Sequence, residues 1–167
     1  RVADLIRSGG PRRIITLNPE FLYRAVREDH TLMELVSRAD LVTADGEGIV
    51  WGGRVAGTPF PERVTGIDLM LRLVERAAAE GWRGFLLGAA PGVAAEAAEN
   101  LTRRFPGLQV VGTQHGYFKP HEEAGIVDTI KQRAPQLLFV ALGAPAQEKW
   151  IERHIESIGD VVAVGVG

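Results

Sequence analysis

The segment Leu137–Glu148 reads L-L-F-V-A-L-G-A-P-A-Q-E and carries the clearest structural signal in the chain. It opens with the longest near-continuous apolar run, Leu137–Ala144. A short apolar run that ends in Gly and Pro is typical of a strand buried on both faces of a parallel sheet. Gln147 and Glu148 then open a helix pattern, so the segment predicts a strand, a tight turn and a helix in succession.

The same alternation of strand and helix recurs along the chain. Asn18 is a predicted N-cap, Thr31 with Glu34 three residues later predicts a capping box, and Gly81 ends the helix pattern Ile67–Glu80. Further apolar runs, each predicted to be a strand, lie at Arg13–Leu17, Leu41–Thr43, Gly84–Leu87, Leu108–Gly112 and Val161–Val166. We therefore predict an α/β fold with one domain over residues 1–167. Its open, mostly parallel, Rossmann-like sheet has about six strands, with helices on both faces.

The composition is that of a globular chain with little net charge. Its 167 residues include 19 basic and 21 acidic side chains, a net charge of −2, without a long block of one sign. We therefore expect no nucleic acid partner. The absence of Cys excludes disulfides, thiol nucleophiles and Cys-based zinc sites. No apolar run reaches the ~18 to 20 residues of a membrane-spanning helix, and Arg1–Ser8 lacks the apolar core of a signal peptide.

Candidate functional residues follow the predicted strands, because ligands of open α/β sheets bind beyond the carboxyl ends of the strands. Asn18 fits a helix cap and a ligand contact equally well. Asp45 fits a turn former, but we favour a catalytic carboxylate because Gly46 and Gly48 leave room for a substrate. The irregular segment Gly57–Thr65 contains Pro59 and Pro61 and is predicted to be an active-site loop.

Two strand-to-helix turns are predicted anion sites, because free N–H groups at a helix N-terminus attract negative charge. Arg63 precedes one of these helices and either pairs with a phosphate or remains a solvated surface residue. The glycines after Leu87 open the other turn, which packing alone also explains. Gln147 and Glu148 open a helix, and one interpretation is that the acid simply complements the helix dipole. The competing interpretation is that Gln147 hydrogen-bonds a ligand, while Tyr117 stacks on the ligand or bonds to it.

Several common ligand-binding motifs are missing. The dinucleotide motif G-x-G-x-x-G, the P-loop and the nucleophile motif G-x-S-x-G do not occur, and there is no Asp-x-Asp triplet. His115 and His121 are close in sequence, but without Cys or clustered acids we predict no metal site and no cofactor. A diphosphate would therefore be neutralised by helix N-termini and Arg side chains.

Six motifs, in this order, resemble the WecG/TagA/CpsF glycosyltransferase family over essentially the whole chain. They are T-L-N-P-E from Thr16, D-G-E-G from Asp45, R-V-T-G-I-D from Arg63, L-L-G-A-A-P-G from Leu86, H-G-Y-F from His115 and L-G-A-P-A-Q-E from Leu142. The resemblance implies a bacterial enzyme of teichoic acid, enterobacterial common antigen or capsule synthesis. Such enzymes transfer N-acetylmannosamine or a related sugar from a UDP donor to undecaprenyl-diphosphate-linked N-acetylglucosamine. They are cytoplasmic and bound peripherally to the inner face of the plasma membrane.

The resemblance also implies a set of site residues. The implied catalytic residues are Asp45, as the base, with Thr16 and Asn18; the implied substrate-binding residues are Arg63, Thr65, Gly66, Asp68, Gly88, Tyr117, Gln147 and Glu148. Two positions depart from the family pattern, since Ala146 stands where Lys is common and Glu47 where an apolar residue is usual. The family continues past Gly167 into a basic, membrane-docking appendage. We therefore expect the chain to be a fragment, with its N-terminal strand cut short as well.

The sequence thus favours an inverting, metal-independent glycosyltransferase with a UDP-sugar and a lipid-linked acceptor as its partners. Two alternatives stay open. A glycoside hydrolase using Asp45 and Glu148 needs these carboxyl groups ~5 to 10 Å apart. A non-catalytic nucleotide-binding or assembly module is the other alternative, because a fold does not by itself imply chemistry. Self-association into a homo-oligomer is also left open.

Overall fold

All six predicted apolar runs form strands of one sheet. The structure is a computed structural model that describes residues 1–167. The strands are β1 (Arg12–Leu17), β2 (Leu41–Ala44), β3 (Arg83–Gly88), β4 (Gln109–Gln114), β5 (Leu137–Ala141) and β6 (Val162–Gly165). Every pairing is parallel, and the strand order is β2-β1-β6-β5-β3-β4. The predicted Rossmann-like sheet is therefore confirmed, and it is parallel throughout.

Helices connect the strands on both faces of the sheet. They are α1 (Val2–Ser8), α2 (Pro19–Arg27), α3 (Thr31–Arg38), α4 (Glu47–Val55), α5 (Gly66–Glu80), α6 (Val93–Arg104), α7 (Glu123–Arg133) and α8 (Ala146–Ile158), with a 3₁₀ turn at Pro120–Glu122. Two predicted helix ends are confirmed. Asn18 Oδ1 accepts a hydrogen bond from Phe21 N at 2.8 Å, and Gly81 ends α5 with a φ of 72°.

Three local features differ from the prediction. Thr31 is the first residue of α3 rather than its N-cap, because its N–H and hydroxyl both donate to Asp29 Oδ1. The predicted capping box is therefore wrong. The helix α4 begins directly after its N-cap Gly46, which has a φ of 126°, whereas the sequence indicated only room for a substrate at Gly46 and Gly48. The short helix α1 at the start of the chain also carried no predicted helix signal.

In chain order, the early strands lie towards the two edges of the sheet, and β6 lies between them at the centre. β1 leads to β2 at one edge, and β3 leads to β4 at the other. The chain then returns to β5, and β6 fills the position between β5 and β1. The connections that leave the neighbouring strands β3 and β5 therefore run to opposite sides. Such a reversal leaves a crevice at the carboxyl ends of the strands, where ligands of open α/β sheets bind.

Alternate residues of the central strands face two different helical layers. Leu137 and Phe139 of β5 belong to a cluster with α1, α5 and α6, whereas Leu138 and Val140 belong to a cluster with α7 and α8. A third cluster, centred on Phe21, joins α2, α3 and α4 to the ends of β1 and β2. Burial on both faces explains why the strands read as continuous apolar runs. No helix combines the length and the apolar content needed to cross a membrane.

Only glycine fits at Gly88, the last residue of β3. Its φ is 133°, and a Cβ at this position would lie 2.2 Å from Ala141 O. We expect Gly88→Ala to lower the free energy of unfolding by ~1–3 kcal/mol from backbone strain alone, and by more through displacement of β5. Gly125→Ala is the control, because that helical position has no atom within 4 Å of a built Cβ. Its stability is expected to rise by ~0.5–1 kcal/mol. Urea denaturation measures both, and equal effects would contradict the prediction.

Candidate active site

The sequence-predicted site residues lie along the carboxyl edge of the sheet. Across the sheet, this edge carries Asp45 after β2, Thr16 in β1, Gln147 beneath the end of β6, Gly88 at the end of β3 and Tyr117 beyond β4. Neighbouring strands are ~4.8 Å apart, so the row spans about 24 Å from the first strand to the last. The structure therefore forms two groups, one around Asp45 and one around Gly88 and Tyr117, with Gln147 between them.

Asp45 is held at the N-terminus of α5. Its backbone N–H donates to Leu17 O at 2.8 Å, and its Oδ2 accepts from Gly66 N at 3.2 Å. The carboxylate thus faces the positive end of the helix dipole, which stabilises negative charge. Its Oδ1 makes no hydrogen bond within the chain, and the side chain is only partly buried. A carboxylate oxygen without an internal partner can accept a proton from a bound hydroxyl group.

Thr16 reaches the same corner as Asp45. It is buried, and its hydroxyl donates to Gly165 O at 3.1 Å. A Cβ on Gly66 would lie 3.5 Å from Thr16 Oγ1 and 3.4 Å from Val166 Cα. These are ordinary van der Waals distances, so the first residue of α5 packs beside the ends of β1 and β6. Thr16 and Asp45 thus both lie at the N-terminus of α5, while their catalytic roles stay predictions.

Asn18 follows Leu17, the last residue of β1, and is the N-cap of α2. Of the two roles predicted for Asn18, the helix cap is therefore confirmed. Its side chain is partly buried, and its amide NH₂ group donates no hydrogen bond within the chain. The amide is thus free to donate to a ligand, and that contact stays a prediction.

Arg63 lies beside this corner, because it forms a bridge with Ala44, the residue before Asp45. It lies at the end of the Gly57–Thr65 segment, which is irregular as predicted except for a parallel bridge between Arg63 and Ala44. The guanidinium is half exposed and lies 3.6 Å from the exposed carboxylate of Glu47. Exposed pairs of this kind contribute only ~0–1 kcal/mol. Arg63 can therefore exchange Glu47 for a phosphate group at little cost.

The N-terminus of α5 is less open to an anion than the sequence indicated. Thr65 Oγ1 accepts from Asp68 N at 3.1 Å and donates to Asp68 Oδ2 at 2.6 Å. Gly66 N is already bound to Asp45. A phosphate at this helix end would compete with two carboxylates of the protein itself. Substrate binding by Thr65, Gly66 and Asp68 stays a prediction, with Arg63 as the favourable charge.

The crevice between β3 and β5 carries the second group. Ala89 N donates to Ala141 O at 2.9 Å, and Gly116 N donates to Ala89 O at 2.8 Å, which joins three loops. Tyr117 projects from these loops with 77% of its surface exposed and lines an opening together with Leu142. A mainly apolar cavity of about 170 Å³ lies nearby, between α5, α6 and the ends of β3 and β5. An exposed aromatic ring at such a crevice can stack on a planar base.

Gln147 and Glu148 are buried beneath the end of β6, which the sequence did not indicate. Their exposed fractions are 1% and 4%. Gln147 Nε2 donates to Glu148 Oε1 at 2.9 Å, and Gln147 Oε1 accepts from Gly167 N at 3.1 Å. Burial raises the pKa of Glu148, against the smaller opposing effect of its hydrogen bond from Gln147. The signal for this burial is Gly165, where a Cβ would lie 2.7 Å from both side chains.

The histidines singled out in the sequence do not come together with other metal-ligating groups. His115 Nδ1 is buried without a hydrogen-bond partner, and His121 is exposed in the 3₁₀ turn. No three or more His, Asp or Glu side chains converge on one point. The charged side chains described at the edge are Asp45, Glu47, Arg63 and Asp68, and Glu148 is buried beneath it.

The fold and the polar row along its carboxyl edge define a Rossmann-like α/β protein. The model of the glycosyl transferase WecG/TagA/CpsF family matches residues 1–167. The chain therefore belongs to this family.

Two relatives are N-acetylglucosaminyldiphosphoundecaprenol N-acetyl-beta-D-mannosaminyltransferases. The chain is 36% identical over 154 residues to the one from Bacillus spizizenii and 34% identical over 154 residues to the one from Staphylococcus aureus strain NCTC 8325. Each alignment covers 92% of this chain and 59% of the relative. A periplasmic solute-binding protein from Actinobacillus succinogenes with bound D-allose aligns at 13% identity and a TM-score of 0.38, over 92% of this chain and 75% of that one. That likeness is too weak to carry an argument.

Burial of Glu148 predicts a pH-dependent stability. Because its pKa is raised in the folded protein, the stability tied to its proton is present below the ordinary pKa of 4.5 and is lost as the pH rises through the raised value. We therefore expect Glu148→Gln to gain stability relative to the wild type as the pH rises above 4.5. Urea unfolding from about pH 4 to about pH 8 measures this, with the exposed Glu99→Gln as control. A difference that does not change with pH would refute it.

Proposed function

We propose that this protein transfers a sugar from a UDP-sugar to undecaprenyl-diphosphate-linked N-acetylglucosamine, with inversion and without a metal. Family membership and the names of the two relatives support the reaction class, the N-acetylmannosamine and the lipid-linked acceptor. The observation that carries the proposal is the carboxylate of Asp45, which has an unpaired oxygen at the carboxyl edge of the sheet. The chain spans 59% of the length of these relatives, so donor, acceptor and activity of the whole protein are all part of the proposal.

The donor is proposed to lie along the carboxyl edge, with its nucleotide in the crevice at Gly88 and Tyr117. The strands β3 and β2 are four strand steps apart, about 19 Å. An elongated nucleotide sugar is the kind of molecule that extends from this crevice toward Asp45. Tyr117 offers an aromatic face to the uracil ring, and Arg63 offers a guanidinium to the diphosphate. Gln147 lies between the two groups, below the path of the donor.

In the proposed reaction, Asp45 Oδ1 takes the proton of the acceptor hydroxyl while the hydroxyl oxygen bonds to the anomeric carbon. The bond from that carbon to the β-phosphate oxygen breaks, and UDP leaves with the electron pair. Attack from the face opposite to UDP inverts the configuration of the sugar. Arg63 and backbone N–H groups neutralise the charge that develops on the leaving diphosphate.

Asp45→Asn is expected to lower the rate of sugar transfer by about 10²- to 10⁴-fold, because an amide cannot take the proton. The dissociation constant for UDP should change little, since the nucleotide crevice lies at other strands. Asp128→Asn is the matched control, because Asp128 is exposed on α7 and is not among the predicted site residues. A chromatographic product assay and calorimetry with UDP measure the two effects.

Each alternative has its own outcome in these experiments. Wild-type transfer by Asp45→Asn would remove Asp45 from the mechanism, and calorimetric preference for NAD or S-adenosylmethionine over UDP and UDP-sugars would overturn the transferase proposal. UDP binding by a wild-type protein that transfers no sugar would favour the non-catalytic module. The hydrolase alternative is weakened by Glu148, which is 4% exposed with Oε1 already bound to Gln147.

The outer face of α4 supports the proposed membrane location. Trp51 and Val55 are one helical turn apart and are 68% and 69% exposed, with Arg54 beside them. Trp and Arg favour the interface between a bilayer and water. Because α4 follows Asp45 almost directly, this face adjoins the corner proposed for the acceptor. The proposal places α4 on the inner surface of the plasma membrane, where a lipid-linked acceptor is held.

The double variant Trp51→Ser/Val55→Ser is expected to weaken binding to vesicles of phosphatidylglycerol and phosphatidylethanolamine by about tenfold or more. The physical reason is that burying one large apolar side chain contributes ~1.5–3 kcal/mol. Met33→Ser on α3 is the control, because Met33 is also exposed but lies on another helix. Co-sedimentation measures both variants. Unchanged binding by the double variant would contradict the proposed orientation.

A further inference from the structure

Two polar side chains in the first turn of α8 lie in the protein interior. Gln147 and Glu148 are almost completely buried, although neighbouring Lys149 is exposed and pairs with Asp29. Glu148 Oε2 is buried without any hydrogen-bond partner. Burial of an unpartnered carboxyl oxygen destabilises a fold, and an apolar side chain of the same size would avoid that cost. Packing alone therefore does not explain why this position carries a glutamate.

The two side chains have a fixed hydrogen-bond direction. Glu148 Oε1 accepts from Gln147 Nε2 at 2.9 Å, which leaves Gln147 Oε1 to accept from Gly167 N at 3.1 Å. A carboxylate offers only acceptors, so it selects one of the two orientations of the neighbouring amide. If the amide turned over, its NH₂ group would face Gly167 N, donor against donor. Glu148 thus determines which end of Gln147 meets the main chain after β6.

This main chain leads directly to the candidate catalytic corner. Gly165 has no side chain, which leaves room for both Gln147 and Glu148 against the end of β6. Its carbonyl oxygen accepts the hydroxyl hydrogen of Thr16 at 3.1 Å. Thr16 in turn lies against Gly66, whose N–H binds Asp45 Oδ2. A continuous series of contacts therefore connects α8 on one face of the sheet to Asp45 at its edge.

We propose that Glu148 is a positioning residue: it fixes the side-chain amide of Gln147, which holds the chain after β6 and thereby sets Thr16 beside Asp45. This inference rests on the proposed glycosyl transfer for its functional consequence, but the hydrogen-bond network stands independently of it. Glu148 does not contact substrate. The proposal assigns its effect on the reaction to the hydrogen bond with Gln147 rather than to its own packing against Gly165.

A double-mutant cycle on sugar transfer tests the inference. Glu148→Leu, which removes the acceptor oxygen at similar volume, is expected to lower kcat/KM by about 10- to 100-fold, the range for a misplaced catalytic group. In a Gln147→Leu background, Glu148→Leu is expected to cause no further loss, because the amide through which Glu148 is proposed to act is gone. Glu148→Gln keeps an acceptor oxygen and is expected to stay within about threefold of the wild type. Unchanged kcat/KM in Glu148→Leu, additive losses, or a Glu148→Gln variant as slow as Glu148→Leu would each overturn it.

A measurement on the wild type alone covers the case in which the leucine variants do not fold. The Gln147 side-chain NH₂ and the Gly167 amide are expected to exchange with deuterium at least about tenfold more slowly than exposed amides, because both are hydrogen-bonded. Rapid exchange at either group would overturn the inference. Slow exchange in a protein that transfers no sugar would instead count against the proposed function and leave the network intact.

Discussion

β6 is the strand on which both halves of the sheet depend. It pairs with β1 through Val162–Val164 and with β5 through Val162–Gly165. Without these pairings, β2-β1 and β5-β3-β4 would be two separate sheets. All four residues of β6 are buried, so contacts with α5 on one face and α8 on the other reinforce its main-chain hydrogen bonds. The candidate site depends on the same strand, because Asp45 and Thr16 belong to one half while Gly88 and Tyr117 belong to the other.

The strands and long helices can be predicted from the sequence because their signals are local. Each strand is a short apolar run, and α5 has a regular apolar face closed by Gly81. Where two local signals compete, the pattern alone cannot choose between them. Thr31 matches a capping box, but Asp29 lies close enough to take both of its hydrogen-bond donors. Gly46 indicates space for a ligand, and the helix that follows it has no side-chain cap that would signal its start.

In the candidate site, too, local sequence signals predict which residues lie at the edge, but not the contacts that they make with other elements. Asp45 and Thr16 can be placed near each other from the sequence, since the ends of parallel strands share one edge. The burial of Gln147 and Glu148 depends on Gly165, which belongs to β6 rather than to α8 itself. The occupied N-terminus of α5 has a similar origin, because its partner Asp45 comes from another strand end. Motifs thus identify site residues more readily than their hydrogen-bond partners.

The central place of β6 also constrains how a growing chain folds. β6 follows the other five strands in chain order, and its pairing joins Ile14 to Val164. Contacts between residues so far apart in sequence form slowly. Until residues 162–165 emerge from the ribosome, the inner edges of β1 and β5 present unpaired N–H and C=O groups, which can pair with other chains. A nascent chain therefore remains exposed to such mispairing until its synthesis has passed this strand.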